Sequence, residues 1–322
     1  MLVPVLLFVL GLILLIKGGD WFVDSAAGIA QRFHVPELII GATVVSIGTT
    51  LPEVMVSAGA ALSGHGEIAY GNAIGSIICN TSLIAALTVA IRPAPVDRKA
   101  MKLPVIFFFA AAVFYSAVAY LTGQFSRGVG IILLAGFACY MLLTVWQGLR
   151  NPAQAADAEN APSNSLIKDI LFLIIGAACI AIGAKLLVDN GTKIAEALGV
   201  PESVIALTFV ALGTSLPELV TAITSLIKGH GALSLGNIIG ANLFNLVLVS
   251  GTATVLKPFT VPQSSMLLGH NASLVLDVPL MLLVMMILTL PALARKKLSR
   301  WQGILLLALY AGFCAMQFTV CA

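Results

Sequence analysis

The hydrophobic positions do not alternate and are not confined to one helical face; they come in long unbroken runs separated by short polar breaks. Runs fall at 2–31, 37–61, 67–91, 103–122 and 128–149, and again at 169–197, 202–226, 232–256, 277–294 and 301–320. A helix crossing a bilayer needs about 20 mostly apolar residues, so each run predicts one span. The expected fold is an all-α integral membrane protein with ten transmembrane helices. A membrane β-barrel is excluded because its strands would alternate apolar and polar positions. The first run lacks a basic leading segment and a small-residue cleavage site, and reads as a retained span.

Between the fifth and sixth runs lies the one extended polar stretch, RNPAQAADAENAPSNS, whose Pro, Asn and Ser content reads as a loop. The predicted organisation is a first five-helix repeat at 1–149, a linker at 150–168, and a second repeat at 169–322. The halves match at a constant offset of 165: VPELIIGATVVSIGTTLPE at 35–53 answers VPESVIALTFVALGTSLPE at 200–218, and SGHGEIAYGNAIGSIICN at 63–80 answers KGHGALSLGNIIGANLFN at 228–245. There are 19 identities over positions 35–80, without a gap. Five spans is an odd number, so the second copy enters the membrane from the opposite side. Such inverted repeats mark secondary transporters whose site lies near the midplane between the halves.

Composition sharpens this picture. The chain has 322 residues, 59% hydrophobic and only 10% charged, against roughly 25% charged in a soluble domain. A soluble enzyme, a disordered chain and a nucleic-acid partner are thereby excluded; the lipid bilayer is the expected environment. Five cysteines show no paired spacing, so neither a disulfide frame nor zinc is indicated. If the N-terminus is outside, twelve of the seventeen Lys and Arg residues fall in inner loops, among them Arg92, Arg98, Lys99, Lys228 and Arg295–Lys297. The positive-inside rule then puts both termini outside and the linker in the cytoplasm.

Polar residues inside apolar runs carry the chemistry. Span 2 contains Gly48-Thr49-Thr50-Leu51-Pro52-Glu53 and span 7 contains Gly213-Thr214-Ser215-Leu216-Pro217-Glu218. A carboxylate within the bilayer is costly and functional by default. Each proline lacks an N–H, which frees carbonyls one turn earlier, near Thr49 and Thr214. Span 3 adds a stripe of Asn72, Ser76 and Asn80, repeated in span 8 by Asn237, Ala241 and Asn245. Two bidentate carboxylates and two threonine carbonyls make six oxygens with two negative charges, a set suited to Ca²⁺. Neutral oxygens of Thr50, Ser215, Ser76, Asn80 and Asn245 would suit Na⁺. No cofactor is expected, and the ligands are small inorganic cations. An intramembrane hydrolase is a rival use of two carboxylates, but no GxGD, HExxH or GxSxG stretch accompanies them.

These duplicated motifs resemble the two α-repeats of the calcium/cation antiporter superfamily, and within it the bacterial calcium/sodium antiporters related to sodium/calcium exchangers. The resemblance covers nearly the whole chain. It implies alternating access in the cytoplasmic (inner) membrane, with Na⁺ entry driving Ca²⁺ extrusion. It also implies that Thr49, Glu53, Thr214 and Glu218 hold Ca²⁺, and that Ser46, Thr50, Ser76, Asn80, Ala211 and Ser215 serve Na⁺. Three departures, Asn245 in place of an Asp, Ala241 in place of a hydroxyl, and Ile77 and Cys79 within the first-repeat motif, touch the sodium side. A proton/calcium antiporter on the same scaffold is therefore the alternative.

Of the remaining polar groups, His65 and His230 read as short Gly-His-Gly turns. Asp24 and Asp189 read as capping or interface groups, and Asp277 as an N-cap opening span 9. Lys17 and Lys185 read as snorkelling side chains, and Trp21, Trp146 and Trp301 as interfacial anchors.

Overall fold

The computed structural model describes residues 2–150, 165–198, 213–263, 266–267 and 269–320. Long helices dominate: α1 (Leu2–Arg32), α2 (Glu37–Leu62), α3 (Gly66–Ile91), α4 (Arg98–Leu121), α5 (Arg127–Arg150), α6 (Leu166–Ala197), α7 (Leu216–Ile227), α8 (Gly231–Leu256), α9 (Ser273–Arg295) and α10 (Arg300–Val320). Eight helices among the described residues are long and apolar enough to cross a membrane. α7, with 12 residues, is shorter, and residues 199–212 before it lie outside the described ones. Two short antiparallel ribbons, Gln124–Phe125 with Phe259–Thr260 and Met266–Leu267 with His270–Asn271, tie connections together.

Helix boundaries shift from the hydropathy pattern where polar chemistry intervenes. α4 starts at Arg98, five residues before the predicted span, because the Asp97 carboxylate accepts from the N–H groups of Lys99 (2.8 Å) and Ala100 (3.3 Å). α6 starts at Leu166, inside the predicted linker. α9 starts at Ser273, so Asp277 does not cap it; that carboxylate instead accepts from the Gln317 amide at 3.2 Å. The predicted cap is thus a contact to α10. Lys296 adopts φ +56° and ends α9 in a left-handed turn.

The layering inverts that of a soluble protein. Large apolar side chains such as Met55, Val113, Leu121 and Leu142 face outward, while Glu53, Asn80, Asn237 and Glu218 are inside. α8 and α3 are central, 89% and 72% buried along their apolar windows, and α1, α5 and α6 are peripheral at 22%. α1 and α6 pack together through glycines: a Cβ on Gly11 would meet the Gly183 carbonyl at 2.9 Å, and one on Gly18 the Gly176 carbonyl at 2.9 Å. These contacts are reciprocal, since Gly176 and Gly183 are Gly11 and Gly18 advanced by 165.

At one end of the bundle the basic connections meet. Val96 donates to the Lys296 carbonyl and Leu298 to the Ala94 carbonyl, both at 2.9 Å, and Arg92 reaches the Leu226 carbonyl. The connections at 121–127 and 257–263 meet at the opposite end.

Candidate cation site

Four helices build the centre. α2 carries Ser46, Thr49, Thr50 and Glu53; its first turns widen to π geometry at Gly41–Val45, and Pro52 lies within a continuous helix. Pro217 sits differently, in the first turn of α7, with Gly213–Ser215 a turn before it. Glu218 is therefore at a helix N-terminus, where the backbone dipole favours an anion. α3 and α8 both change to π geometry at matched asparagines, Asn80 and Asn245. Such π turns recur at functional sites because they re-aim side chains and carbonyls. The hydropathy pattern does not reveal them.

Glu53 and Glu218 are both fully buried, on two helices, α2 and α7, that contact each other. None of their four carboxyl oxygens has a hydrogen-bond partner among the described residues. The Thr50 and Ser215 hydroxyls and both side-chain atoms of Asn80 and Asn245 are likewise buried and unpartnered. Buried polar groups are normally satisfied, and leaving one carboxylate unpaired in a dry interior costs several kcal/mol by order of magnitude. Carboxylate, hydroxyl and amide oxygens together are the donor set of a hard cation. No group of three or more His, Cys, Asp or Glu occurs among the described residues, so a soft-metal cage is not formed there.

Cross-links between the halves hold this ring. Thr49 donates its hydroxyl to Asn237 Oδ1 at 3.1 Å, and Thr214 donates to Asn72 Oδ1 at 3.4 Å. Ser46 Oγ lies 2.7 Å from the Gly41 carbonyl and 2.9 Å from that of Asn237. A Cβ on Gly236 would stand 2.1 Å from the Leu38 carbonyl, and one on Gly240 2.3 Å from Ser46 Oγ, so only glycine admits α2 this closely. Gly71 and Gly75, their counterparts on α3, meet no described atom within 4 Å; the stretch matching Leu38–Ser46 lies in 203–211, outside the described residues.

The predicted ligands Thr49, Glu53, Thr214 and Glu218 thus lie on facing elements, joined by Thr50, Ser76, Asn80, Ser215 and Asn245 as buried polar groups. Ser46 is occupied in helix packing. Ala211 lies outside the described residues. The site residues missed in the sequence are the braces: Asn237 and Asn72 were visible as stripe members, but their partners are more than 140 residues away. Asn242 donates to the Thr81 hydroxyl at 2.7 Å and to Met285.

Two cavities lie at the ends of the bundle, lined by residues outside the central ring. One of about 410 Å³ is bordered by Glu37, Arg92, Gly229 and Ser234 at the basic end. The other, of about 530 Å³, is bordered by Gly64, His65, Glu67 and Lys257. Around the first, Lys228 pairs with Asp24 at 2.7 Å and Asp20 at 3.3 Å, and His230 Nδ1 lies 2.7 Å from Glu37 Oε1. The turn expectation for His230 is met in place, and it carries an ion pair besides. Asp24 is an interface group, as expected.

The family model described as sodium/calcium exchanger protein matches residues 3–146 and 168–319. The chain belongs to the sodium/calcium exchanger family. It is 39% identical over 304 residues to an uncharacterized membrane protein of Methanocaldococcus jannaschii, covering 94% of each chain. It is 30% identical to the sodium/calcium exchanger MaX1 of Methanosarcina acetivorans, covering 98% of each. A solved structure of the sodium-calcium exchanger NCX_Mj, soaked with Na⁺ and Ca²⁺, superposes with a TM-score of 0.81 at 36% identity over 98% of both chains. The family is one of multi-pass cation antiporters and not a catalytic class, which sets the hydrolase alternative aside.

Proposed function

We propose that the chain exchanges Na⁺ for Ca²⁺ across the cytoplasmic membrane by alternating access, extruding calcium. On this reading it has ten spans in two inverted five-helix repeats, 1–149 and 169–322, joined by the linker 150–168. Both termini are on the outer side and the linker is cytoplasmic. Support comes from the reciprocal Gly11–Gly183 and Gly18–Gly176 contacts and from the matched Thr49–Asn237 and Thr214–Asn72 bonds. The gathering of the Arg92–Lys102 and Arg295–Arg300 segments at one end agrees with a single cytoplasmic face.

The observation that carries the proposal is the pair of buried, unpartnered carboxylates at offset 165. Glu53 and Glu218 with the Thr49 and Thr214 carbonyls take Ca²⁺. Ser46, Thr50, Ser76, Asn80, Ala211, Ser215 and Asn245 contribute to Na⁺ binding or to a shared shell. A ligand shifts a conformational equilibrium only through different affinities for its two states. With both glutamates ionised and no cation, the buried centre holds two uncompensated charges, and exchanging access between the two faces is costly. One Ca²⁺, or Na⁺ ions in its place, cancels that charge and permits the exchange of access, which couples the two fluxes.

A second reading, exchange of protons for calcium, is favoured by the neutral Asn245 and by alanine at 241, which thin the sodium shell. The experiment is ⁴⁵Ca²⁺ movement in proteoliposomes under an imposed Na⁺ gradient or an imposed pH gradient, with Glu218→Gln as the blank. Movement driven by Na⁺ and lost in the variant is the expected result. Movement driven only by pH transfers the coupling to protons, and none under either gradient refutes calcium exchange.

A further inference from the structure

The two halves brace one another's ligands through an asparagine, and they do so unequally. Asn72 on α3 accepts the Thr214 hydroxyl at Oδ1, while its Nδ2 donates to Ser57 Oγ at 2.9 Å and to the Glu53 carbonyl at 3.3 Å. Every polar atom of that amide is engaged. Asn237 on α8 accepts the Thr49 hydroxyl in the same way, but its Nδ2 has no partner among the described residues. The sequence supplies the reason: Ser57 lies one turn after Glu53, and the position one turn after Glu218 is Ala222, which is fully buried.

We propose that Asn72 and Asn237 are reciprocal positioning residues for the cation ligands, each fixing the threonine of the opposite half. We further propose that Ser57 anchors the Asn72 amide, so that the Thr214 brace starts from a side chain already held, whereas the Asn237 amide is held through Thr49 alone among the described residues. The inference rests on the transport reading above, because it takes the Thr49 and Thr214 carbonyls as ligands. A threonine whose hydroxyl is held has its backbone held too, so its carbonyl is aimed before the ion arrives; pre-organisation of this kind improves affinity by lowering the ordering cost of binding. Because each bond crosses between halves, it also ties the ligand of one repeat to the helix of the other. The Glu53 carbonyl, which can only accept, sets which way the Asn72 amide faces, so that oxygen and not nitrogen meets Thr214. Ser57 is the lever specific to one half, because it adds a second, side-chain partner to that Nδ2.

Double-mutant cycles test this, because side chains acting through one another are non-additive. Calcium half-saturation and maximal exchange rate would be measured for Asn72→Ala, Thr214→Val and the pair. Thr214→Val removes the hydroxyl and keeps the carbonyl. Each single change is expected to raise half-saturation about fivefold to tenfold, the worth of one buried hydrogen bond. The pair should be no worse than the poorer single variant. Asn237→Ala with Thr49→Val should behave alike. Ser57→Ala, a mild change, should raise half-saturation about twofold in the native background by the same reasoning, and have no effect in Asn72→Ala.

Additive cycles overturn the proposal, and so does a Ser57→Ala effect that persists without Asn72. A fall in maximal rate and thermal stability with half-saturation unchanged also overturns it, since that is the mark of a purely structural role. Cation-induced thermal stabilisation of the detergent-solubilised wild type separates the two failures. If neither Na⁺ nor Ca²⁺ stabilises it, the transport reading fails. If calcium does and the cycles are additive, only the brace fails.

Discussion

Acidic side chains occur in two settings in this protein, and the contrast explains what each does. At the basic end, Asp20 and Asp24 meet Lys228, Asp169 meets Arg32 at 3.7 Å, and Glu37 meets His230. At the centre, Glu53 and Glu218 have neither an ion pair nor a hydrogen-bond partner for their carboxylates among the described residues. In the first set Asp20, Asp24 and Glu37 are partly exposed and Asp169 is buried, and each has a countercharge from the chain itself. The second lacks a countercharge among the described residues, in the place where one is most needed. On the proposed function, a fold that pairs the first set of acids and leaves these two unpaired in its core is built around a charge that comes from outside: the paired acids hold helices together, and the unpaired acids bind cargo.

The largest expected effect breaks the central set. Glu53→Gln should abolish calcium exchange while leaving thermal stability in cation-free detergent unchanged or raised, because an uncompensated buried charge has been removed. Scanning fluorimetry with and without Ca²⁺ reads both: the calcium-induced shift should vanish. A variant that unfolds in the absence of cations would mean that Glu53 is structural, and would erase the distinction between the settings.

Next in size is the packing that brings the central residues together. Gly236→Ala places a Cβ against the Leu38 carbonyl and should destabilise the protein by about 1–3 kcal/mol, the usual cost of overpacking, with weakened calcium binding. Gly59→Ala, where no described atom lies within 4 Å, should not destabilise. Equal thermal shifts in the two variants would contradict the close α2–α8 approach.

The peripheral set predicts smaller effects. Lys228→Ala removes the partner of Asp20 and Asp24 and should cost up to about 1 kcal/mol, since partly exposed pairs are screened by solvent, with exchange retained. Loss of exchange in this variant at full stability would move the functional boundary to the basic end.

The smallest effect is a pH dependence. The hydrogen bond to Glu37 raises the His230 imidazole above its ordinary value of 6.5, against the opposing influence of burial; Glu37 and Asp24 also raise it by their charge, and Lys228 lowers it. A raised folded value means that the pair's stabilisation is complete below about pH 6.5 and is lost as pH rises through the folded value. Thermal stability of wild type relative to His230→Ala should therefore shrink from pH 6 to pH 9. A difference that is flat or grows with pH would show that the pair carries no charge-assisted bond.

Much of this was legible in the residues. Continuous apolar runs mark helices because a bilayer leaves no other option for the backbone, and the offset-165 repeat singled out Thr49, Glu53, Thr214 and Glu218 before any geometry was known. Hydropathy mislocated the start of α4 because it weighs Arg98, Lys99 and Lys102 as non-span residues, although Asp97 just before them caps the helix. It also took Asp277 for a cap, when α9 begins four residues earlier. The braces were out of reach for another reason. Local periodicity places Asn72 and Asn237 on helix faces, but which threonine each meets is decided by how the halves pack. The paired state of His230 was hidden likewise, since its partner Glu37 belongs to the other repeat.

The most direct test of the central claim is equilibrium ⁴⁵Ca²⁺ binding to the purified protein, titrated with Na⁺ and repeated with Glu53→Gln and Glu218→Gln. The account predicts saturable calcium binding that Na⁺ displaces and that either substitution abolishes. Calcium binding of wild-type affinity in both variants would contradict it.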